Sequence, residues 1–340
     1  MENQEPTNRN LIQSRVSRRT ALKAGGIAAL GLAFSKPLIQ TIYPQPAFAQ
    51  LSSAGLPGND TTPDPQGQPL IAGCNPNGWV LDSQFSNPRW ANDIAIDSAG
   101  NIYIADLLIR KYDANGNFVT QWGEGEDSLP GMLDESGSYG LVVAPNGKLY
   151  VSDHDNGRIQ VFDTNGNYLF HFGKSGPGEL EGPRGIACDS LGYIYVADTE
   201  HWRIVKFNPN GVYVTHWGSE GTGNGQWSGF NGPEHIATDG AGKVYVADVY
   251  GKRVQVFDSN GNWLSNIVGT GVPFTGPYGV EADNDGLVYI SDSGNIHIFS
   301  PGGAYLATIS GEHGSMARPA GCSLYLATRN DYAIKKFVQA

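Results

Sequence analysis

Short apolar runs separated by turn residues recur along most of the chain. In residues 182–218, four such runs (186–188, 193–197, 203–207 and 212–217) alternate with turns rich in Gly, Asn, Asp and Pro. β-Branched and aromatic residues favour strands, and Asn-Gly between two apolar runs favours a tight hairpin. This stretch therefore predicts a four-stranded antiparallel meander.

The same unit returns at intervals of 44 to 50 residues. An aspartate ends the second apolar run of each clear unit, and the five aspartates are Asp106, Asp153, Asp198, Asp248 and Asp292. One small sheet cannot bury its own faces, so units of this length stack against their neighbours. The period is typical of a β-propeller.

The two ends of the chain set the number of blades. Residues 324–327 and 334–337 match a second and a third strand, and no fourth follows. Residues 75–78 repeat the Asn-Pro-Asn-Gly turn of 208–211 and lead into an apolar run that can supply the missing strand. We predict an all-β, six-bladed β-propeller of four-stranded antiparallel blades, closed by pairing an N-terminal strand with the C-terminal blade. The first strand of this shared blade is expected to be short and to lie within 319–322.

The N-terminal segment has the zones of an export signal: basic residues, the mild apolar run 24–34, and Ala47-Phe48-Ala49 before Gln50. Residues 17–23 (SRRTALK) resemble the twin-arginine translocation consensus. We predict an export signal in 1–49, a flexible leader in 50–70 and the propeller in 71–340. The expected location is periplasmic or extracellular, with no stable membrane anchor after signal cleavage. An ordinary secretory signal and an uncleaved anchor remain the alternatives.

Composition and charge narrow the class of partner. The chain has 340 residues, 46 of them Gly, and a formal net charge of -11. Nucleic acids and anionic membranes attract clustered Lys and Arg, so neither is expected as a partner. We expect a monomer that binds a protein, peptide or glycan.

The repeats resemble NHL repeats, a family of six-bladed propeller modules. The resemblance rests on the opening Gly-Pro pairs at 182, 232 and 276, the Tyr-Val-Ala/Ser-Asp strand ends, and Arg-Ile/Val-x-x-Phe in the third strands. It implies the fold over nearly all of 75–337. Members of this family include interaction platforms, sensor domains and lyases that finish peptide amidation, so the resemblance does not fix the function.

Because the strands of a blade are antiparallel, the hairpins lie at one end of the ring and the blade-to-blade connections at the other, and the two ends differ in loop length. The blade-to-blade connections are long and variable, whereas the hairpins at the other end are short, and long loops on a rigid scaffold commonly carry binding sites. The residue after each opening turn should ring the mouth of the central channel: Asn92, Tyr139, Arg184, Glu234, Tyr278 and Ala320. His201, Trp202, His235 and Tyr250 are expected close by. These four residues and five of the six ring residues, all but Ala320, form the predicted ligand-binding set. A solvated rim with an ordinary ion pair is the plainer alternative.

Two functions of different class follow. The first is an exported binding module for a peptide, glycan or envelope protein at the channel mouth, with no cofactor and no metal. The second is a metal-dependent lyase or lactonase, similar to the amidating lyases that place channel-facing histidines on several blades. Only His235 lies near such a position, so we expect a binding protein rather than an enzyme and assign no catalytic residue.

The three cysteines, Cys74, Cys188 and Cys322, lack metal-ligand spacing. Cys74 and Cys322 both fall in the shared blade. If they belong to its fourth and first strands, two strands at about 4.8 Å spacing separate them, which exceeds the span of a disulfide. We therefore expect small buried thiols, with a disulfide between these two as the less favoured alternative.

Overall fold

The apolar runs of each repeat form the strands of one blade. The computed structural model describes residues 78–87, 89–125, 129–133, 137–229, 232–319, 322–328 and 331–339, all within a compact unit that spans 45–340. These residues contain six four-stranded antiparallel sheets, as predicted. The signal and leader predicted in 1–70 lie outside the described residues.

The first three blades follow in chain order, each running from the channel outward. Blade 1 has β2 (Asp93–Ile96), β3 (Ile102–Ala105), β4 (Ile109–Tyr112) and β5 (Phe118–Trp122). Blade 2 has β6 (Ser138–Val143), β7 (Leu149–Asp153), β8 (Arg158–Phe162) and β9 (Tyr168–Phe172). Blade 3 has β10 (Pro183–Cys188), β11 (Ile194–Asp198), β12 (Arg203–Phe207) and β13 (Tyr213–Trp217), with a 3-10 helix (Thr199–His201) after β11.

The remaining blades follow a short parallel pair, β14 (Ser219–Glu220) and β15 (Gln226–Trp227). Blade 4 has β16 (Ile236–Thr238), β17 (Val244–Asp248), β18 (Arg253–Phe257) and β19 (Trp263–Ile267). Blade 5 has β20 (Gly279–Ala282), β21 (Val288–Asp292), β22 (Asn295–Phe299) and β23 (Tyr305–Ser310). Blade 6 has β24 (Gly314–Ala317), β25 (Ser323–Thr328), β26 (Ala333–Gln339) and, from the other end of the chain, β1 (Trp79–Ser86).

Blade 6 closes the ring through both ends of the chain. β1 pairs antiparallel with β26, from Trp79 opposite Gln339 to Ser86 opposite Ala333. This confirms the predicted closure, which leaves no open sheet edge at the seam. The predicted first strand was wrong, because β24 lies at 314–317 and residues 318–322 connect it to β25. Blade 6 therefore has a first strand of ordinary length.

The core lies between neighbouring blades. The second strand of blades 2 to 5 is buried along its whole length, whereas fourth strands such as β13 alternate between exposed and half-buried residues. The tyrosine at the second position of each second strand in blades 1 to 5 is fully buried: Tyr103, Tyr150, Tyr195, Tyr245 and Tyr289. Burial of such large side chains between sheets stabilises the stacking of the blades.

The aspartate that ends the second strand fixes the turn to the third strand. In blades 1 to 4 it accepts a hydrogen bond from the Nε atom of an arginine at the start of the third strand; in blade 3 the bond from Arg203 to Asp198 is 2.7 Å long. Blade 5 has Asn295 at that position, and Asp292 instead accepts bonds from Thr275 and the Gly276 amide. The recurring aspartates are therefore scaffold residues.

One of the two described cysteines differs from the expectation. Cys188 carries a free thiol, and burial raises its pKa to about 12, but Cys322 is disulfide-bonded. The objection placed Cys322 in the first strand of blade 6, whereas it lies just before β25, the second strand. Cys74 lies outside the described residues. Within the described part of the chain, no helix is long and apolar enough to cross a membrane.

Candidate functional site

The residues that open the first strands form a ring at the channel mouth. Arg184 of blade 3 donates from Nη1 to both carboxylate oxygens of Glu234 of blade 4, at 2.8 and 2.7 Å. The guanidinium lies 5.3 Å from the centroid of the Tyr139 ring of blade 2, which in turn packs on His154 with ring centroids 4.5 Å apart. The predicted neighbours Tyr139, Arg184 and Glu234 therefore do come together.

Two further members of the mouth ring contact the neighbouring blade. Asn92 of blade 1 donates from its side chain to the Ser138 carbonyl of blade 2, at 3.0 Å. Tyr278 of blade 5 stands edge-on to His313, with ring centroids 6.4 Å apart. The sixth position of the ring is Gly314. In the other blades the mouth residue lies two positions before the first-strand residue that pairs with the middle of the second strand, and in blade 6 that residue is Met316, which pairs with Leu326. Ala320, predicted there, lies outside the described residues.

Three predicted residues lie in the turns around this ring rather than in it. His201 contacts Asp198 through Nδ1 at 2.9 Å and Glu181 through Nε2 at 3.1 Å. Trp202 packs against the buried cluster between blades 3 and 4, and Tyr250 is half exposed. Among the described residues, no hydrogen bond, ion pair or ring contact joins these three side chains to the mouth ring.

A cavity of about 740 Å³ opens on the same face between blades 2 and 3. Its walls are the turn 154–157 of blade 2, the connection 174–182, and residues 200–203 of blade 3. His201 and His154 both line it. Since His154 also packs on Tyr139, the cavity adjoins the mouth ring.

A second ring lies one residue deeper in the channel. Its six positions, matched by strand register, are Asp93, Gly140, Gly185, His235, Gly279 and Ser315. The glycines permit close approach of neighbouring first strands: a Cβ atom on Gly185 would lie 2.7 Å from the Glu234 carbonyl oxygen. The three other positions carry polar side chains.

These three polar side chains meet across the channel. His235 Nε2 lies 3.1 Å from Ser315 Oγ and 3.4 Å from Asp93 Oδ1, and its Nδ1 lies 3.1 Å from the Val280 carbonyl oxygen. Ser315 also donates a short hydrogen bond to Asp93. The other Asp93 oxygen accepts the Leu141 amide of blade 2 at 2.9 Å. The cluster joins blades 1, 2, 4, 5 and 6 and forms the floor of the mouth.

The hydrogen bonds fix the protonation state of His235. Its Nδ1 must donate to the Val280 carbonyl, and its Nε2 must donate as well, because the Ser315 hydroxyl proton is already given to Asp93. Burial lowers the pKa of His235, but the bond to Asp93 and the charges of Asp93 and Glu281 outweigh it and raise the pKa overall. The side chain is only 14% exposed. The raised pKa favours the protonated form of His235 beside the buried Asp93 carboxylate.

Glu281 lies two residues beyond the second ring on β20, on the far side of the cluster from the mouth. The equivalent residues of the other blades, by their pairing with the buried tyrosines, are Ala95, Val142, Ala187, Ala237 and Ala317. Burial among small apolar side chains raises the pKa of Glu281 to about 8, and the positive charges of His235 and Arg318 only partly offset this.

The channel residues do not fit a metal ion. Within the described part of the chain, no group of three or more His, Cys, Asp or Glu side chains is placed to hold one. The nearest set is Asp93, His235 and Glu281, but both His235 nitrogens and both Asp93 oxygens are engaged in the hydrogen bonds above. A metal at this point would compete with these hydrogen bonds.

Asp93, Ser315 and Glu281 were absent from the predicted site. Asp93 and Ser315 belong to blades that lack an opening Gly-Pro, so no motif marks them. Glu281 follows Tyr278 in a strand that reads as ordinary apolar core. The sequence does contain a signal for Glu281. When the six repeats are aligned on their second strands, Glu281 is the one charged residue at a position that is alanine or valine in the other blades.

Comparison with known proteins supports the propeller assignment. Residues 80–224 match the SMP-30/Gluconolactonase/LRE-like region, and residues 230–257 match the NHL repeat. The NHL resemblance is confirmed for 230–257. The first and larger match was not predicted from the repeats, and it covers blades 1 to 3.

Curated relatives match only a segment of the chain. The peptidyl-glycine alpha-amidating monooxygenase of Mus musculus is 33% identical over 107 residues, which cover 29% of this chain and 10% of that enzyme. Its form A in Xenopus laevis is 37% identical over 86 residues, covering 23% and 9%. The chain thus spans about a tenth of the length of these relatives.

Solved structures share the fold. A gluconolactonase from Xanthomonas campestris aligns with a TM-score of 0.59 at 14% identity, over 80% of this chain and 99% of that one. Virginiamycin B lyase from Staphylococcus aureus aligns with a TM-score of 0.53 at 12% identity, over 77% and 100%. At these identities the likeness establishes the fold alone.

Proposed function

We propose that this chain is an exported binding propeller that takes an acidic group of a peptide, glycan or envelope protein at the channel mouth. The observation that carries the proposal is the state of Arg184. The side chain lies at the mouth with Nη1 bound to Glu234 and the guanidinium beside the Tyr139 ring. A cation held in this way can donate a charge-assisted hydrogen bond to an anionic group of a ligand.

The surroundings of Arg184 suit such a ligand. Its side chain is 25% exposed, so the guanidinium is accessible from the mouth. Glu234 and the Tyr139 ring hold the guanidinium in place, which lowers the entropy lost when a ligand binds. Carboxylate is the group that a guanidinium recognises with the best geometry.

The test is a binding screen of acidic tripeptides and uronic-acid oligosaccharides against the mature protein. We expect Arg184→Ala to weaken a hit by on the order of 2 kcal/mol, or about 30-fold, since a charge-assisted contact in a partly dehydrated site is lost. Asn165→Ala, in a hairpin at the opposite end, should leave the affinity unchanged. Equal loss in both variants, or binding at the outer strands near His171 and His216, contradicts the proposal.

Export by the twin-arginine route is part of the same proposal and rests on the residue pattern of 17–23. Replacing Arg18 and Arg19 by Lys should retain the protein in the cytoplasm. Cell fractionation measures this, and unchanged export of the variant would refute the twin-arginine route.

A lyase or lactonase is the second candidate. It is favoured by the match of 80–224 to the SMP-30/Gluconolactonase/LRE-like region and by the segment shared with the amidating monooxygenases. Metal analysis of the purified mature protein separates the candidates, because a stoichiometric metal that is lost in His235→Ala would favour the enzyme.

A further inference from the structure

We propose that a second cavity, at the seam between blades 6 and 1, binds a single aromatic ring that carries a hydroxyl group, of the size and chemistry of a phenol. This site is separate from the channel mouth and is independent of the binding proposed at Arg184. The cavity has a volume of about 220 Å³. An engineered apolar cavity of about 150 Å³ binds benzene, so the space at the seam accommodates one substituted ring.

The inner wall of the seam cavity is apolar. Phe85 of β1, Ile334 of β26 and Ile102 of β3 line it, and all three belong to the buried cluster between blades 6 and 1. None of them is more than 5% exposed. An aromatic ring placed against these side chains leaves water for an apolar surface, which favours binding.

At three other junctions between blades, a hydrogen bond crosses the corresponding space. The acceptor is the carbonyl of the second residue in the hairpin between the third and fourth strands, and the donor is a side chain of the preceding blade. The pairs are Lys111 with Thr164, Tyr150 with Pro209 and Lys206 with Ser259, at 2.7 to 2.8 Å. The equivalent acceptor at the seam is the carbonyl of Ala114, and among the described residues no donor of blade 6 reaches it.

The corresponding donors of blade 6 line the cavity instead of crossing it. Tyr325 and Lys336 lie opposite each other in β25 and β26, at the positions of Tyr195 and Lys206 in blade 3. Both line the cavity, as does Ala114. The cavity therefore occupies the place where the other junctions form their hydrogen bond.

An ion pair holds Lys336 within blade 6. Its ammonium lies 3.1 Å from the carboxylate of Asp82, which is the extra residue of a bulge in β1. The equivalent bulge residues of blades 1 to 5 are all aliphatic: Val119, Leu169, Val214, Leu264 and Leu306. Because the two charges at the rim of the cavity balance, a neutral ligand is favoured over an ion.

The hydroxyl of Tyr325 is an independent indication of a polar group on the ligand. The residue is only 8% exposed, and its hydroxyl forms no hydrogen bond with the described residues. The tyrosines at the same position of the other blades all bond through their hydroxyls: Tyr103, Tyr150, Tyr195, Tyr245 and Tyr289. Burial raises the pKa of Tyr325, so the hydroxyl keeps its proton at neutral pH.

A ligand hydroxyl satisfies both unpaired groups at the seam. It can accept the hydrogen bond of Tyr325 and donate its own proton to the Ala114 carbonyl, while the ring lies against the apolar wall. Pairing a buried hydroxyl that lacks a partner is worth more than adding a bond at the surface. The structure therefore favours a phenol over a ring without a hydroxyl group.

The experiment is an NMR titration of the purified protein with 4-ethylphenol, and with ethylbenzene as the analogue that lacks the hydroxyl. We expect 4-ethylphenol to bind and ethylbenzene to bind about tenfold more weakly, because the hydrogen bond to Tyr325 is missing. Tyr325→Phe should weaken 4-ethylphenol by a similar factor and leave ethylbenzene unchanged. Since the Tyr325 hydroxyl has no partner in the free protein, this variant should unfold at the temperature of the parent.

Tyr245→Phe is the matched control, because the Tyr245 hydroxyl donates to Asp239 at 2.9 Å in blade 4. This variant should unfold at a lower temperature than the parent but keep its affinity for 4-ethylphenol. Ser83→Phe, which fills the cavity from β1, should abolish binding. No binding of 4-ethylphenol by the parent would show that only solvent enters the cavity, and this overturns the proposal. Equal weakening by the two tyrosine variants also overturns it, because the ring would then bind elsewhere.

The same ring could come from a free phenol or from a tyrosine side chain of a partner protein. N-acetyltyrosinamide, which carries the ring on a peptide unit, distinguishes these sources. Tighter binding of N-acetyltyrosinamide than of 4-ethylphenol, lost in Ser83→Phe, supports the site and identifies a tyrosine side chain as its occupant. Weaker binding supports the site and identifies a free phenol.

Discussion

Glu281 and His235 make the stability of the fold depend on pH. Glu281 has an ordinary pKa of 4.5 when unfolded and about 8 when folded, so between these values the folded chain keeps a proton that the unfolded chain has lost. Raising the pH through this window therefore destabilises the fold. The raised pKa of His235 acts in the same direction: its stabilising contribution is complete below 6.5 and is lost as the pH rises through the folded value.

Glu281→Gln should remove the contribution of Glu281 to this dependence. The variant is expected to be at least as stable as the parent at pH 8, with an advantage of about a few kcal/mol that disappears toward pH 5, since each pKa unit corresponds to about 1.4 kcal/mol. Denaturant unfolding at pH 5 and pH 8 measures it, with Asp285→Asn as the exposed control. Parallel stability curves for Glu281→Gln and parent would show that Glu281 titrates normally.

At the residue scale the sequence predicted contacts that repeat and missed those that do not. Arg184 and Glu234 follow Gly-Pro turns in adjacent blades, so their pairing could be inferred from register. Asp93 and Ser315 follow no such turn. They meet His235 across the channel, between blades that are not consecutive in the ring. The spacing of residues within one repeat does not specify such a contact.

First strands are the elements that determine the geometry of the mouth. Gly185 approaches blade 4 so closely that an added Cβ would lie 2.7 Å from the Glu234 carbonyl oxygen and 2.8 Å from His235 Cα. Glycine at this position therefore sets both the Arg184–Glu234 pair and the place of His235.

Gly185→Ala should lower the stability by about 2 kcal/mol, because overpacking forces a backbone shift between two blades. Gly302→Ala is the matched control, since its nearest neighbour would be 3.8 Å away in a hairpin. Thermal unfolding of the two variants compares them. If Gly185→Ala unfolds at the same temperature as Gly302→Ala, the first strands tolerate a wider spacing.

In blade 6 the first strand lies outside the range that the sequence predicted. Pro319 was interpreted as the start of the first strand by analogy with the Gly-Pro turns, but this blade opens at 312–313 without proline. The apolar residues of β25 and β26 were located correctly because their pattern repeats that of the other blades. The connection to β24 has no repeated counterpart.

At the scale of the whole molecule, the pairing of β1 with β26 keeps the ring closed. Deleting residues 79–86 removes a strand that pairs along the whole of β26 and uncovers Phe337 and Ile334 of the core. We expect aggregation or loss of a cooperative transition, since an unpaired hydrophobic edge favours association. Light scattering with thermal unfolding tests this. A deletion variant that stays monodisperse and melts within a few degrees of the parent would contradict the role of β1.

The central claim is that ligand binds at the channel mouth through Arg184. A crystal structure of the mature protein with the tightest acidic tripeptide or oligosaccharide from the screen tests it most directly. The account predicts a ligand carboxylate within about 3 Å of the Arg184 guanidinium, with Tyr139 alongside and the Asp93–His235–Ser315 cluster beneath. Density for the ligand on the outer fourth strands or among the short hairpins, with Arg184 unchanged, would contradict it.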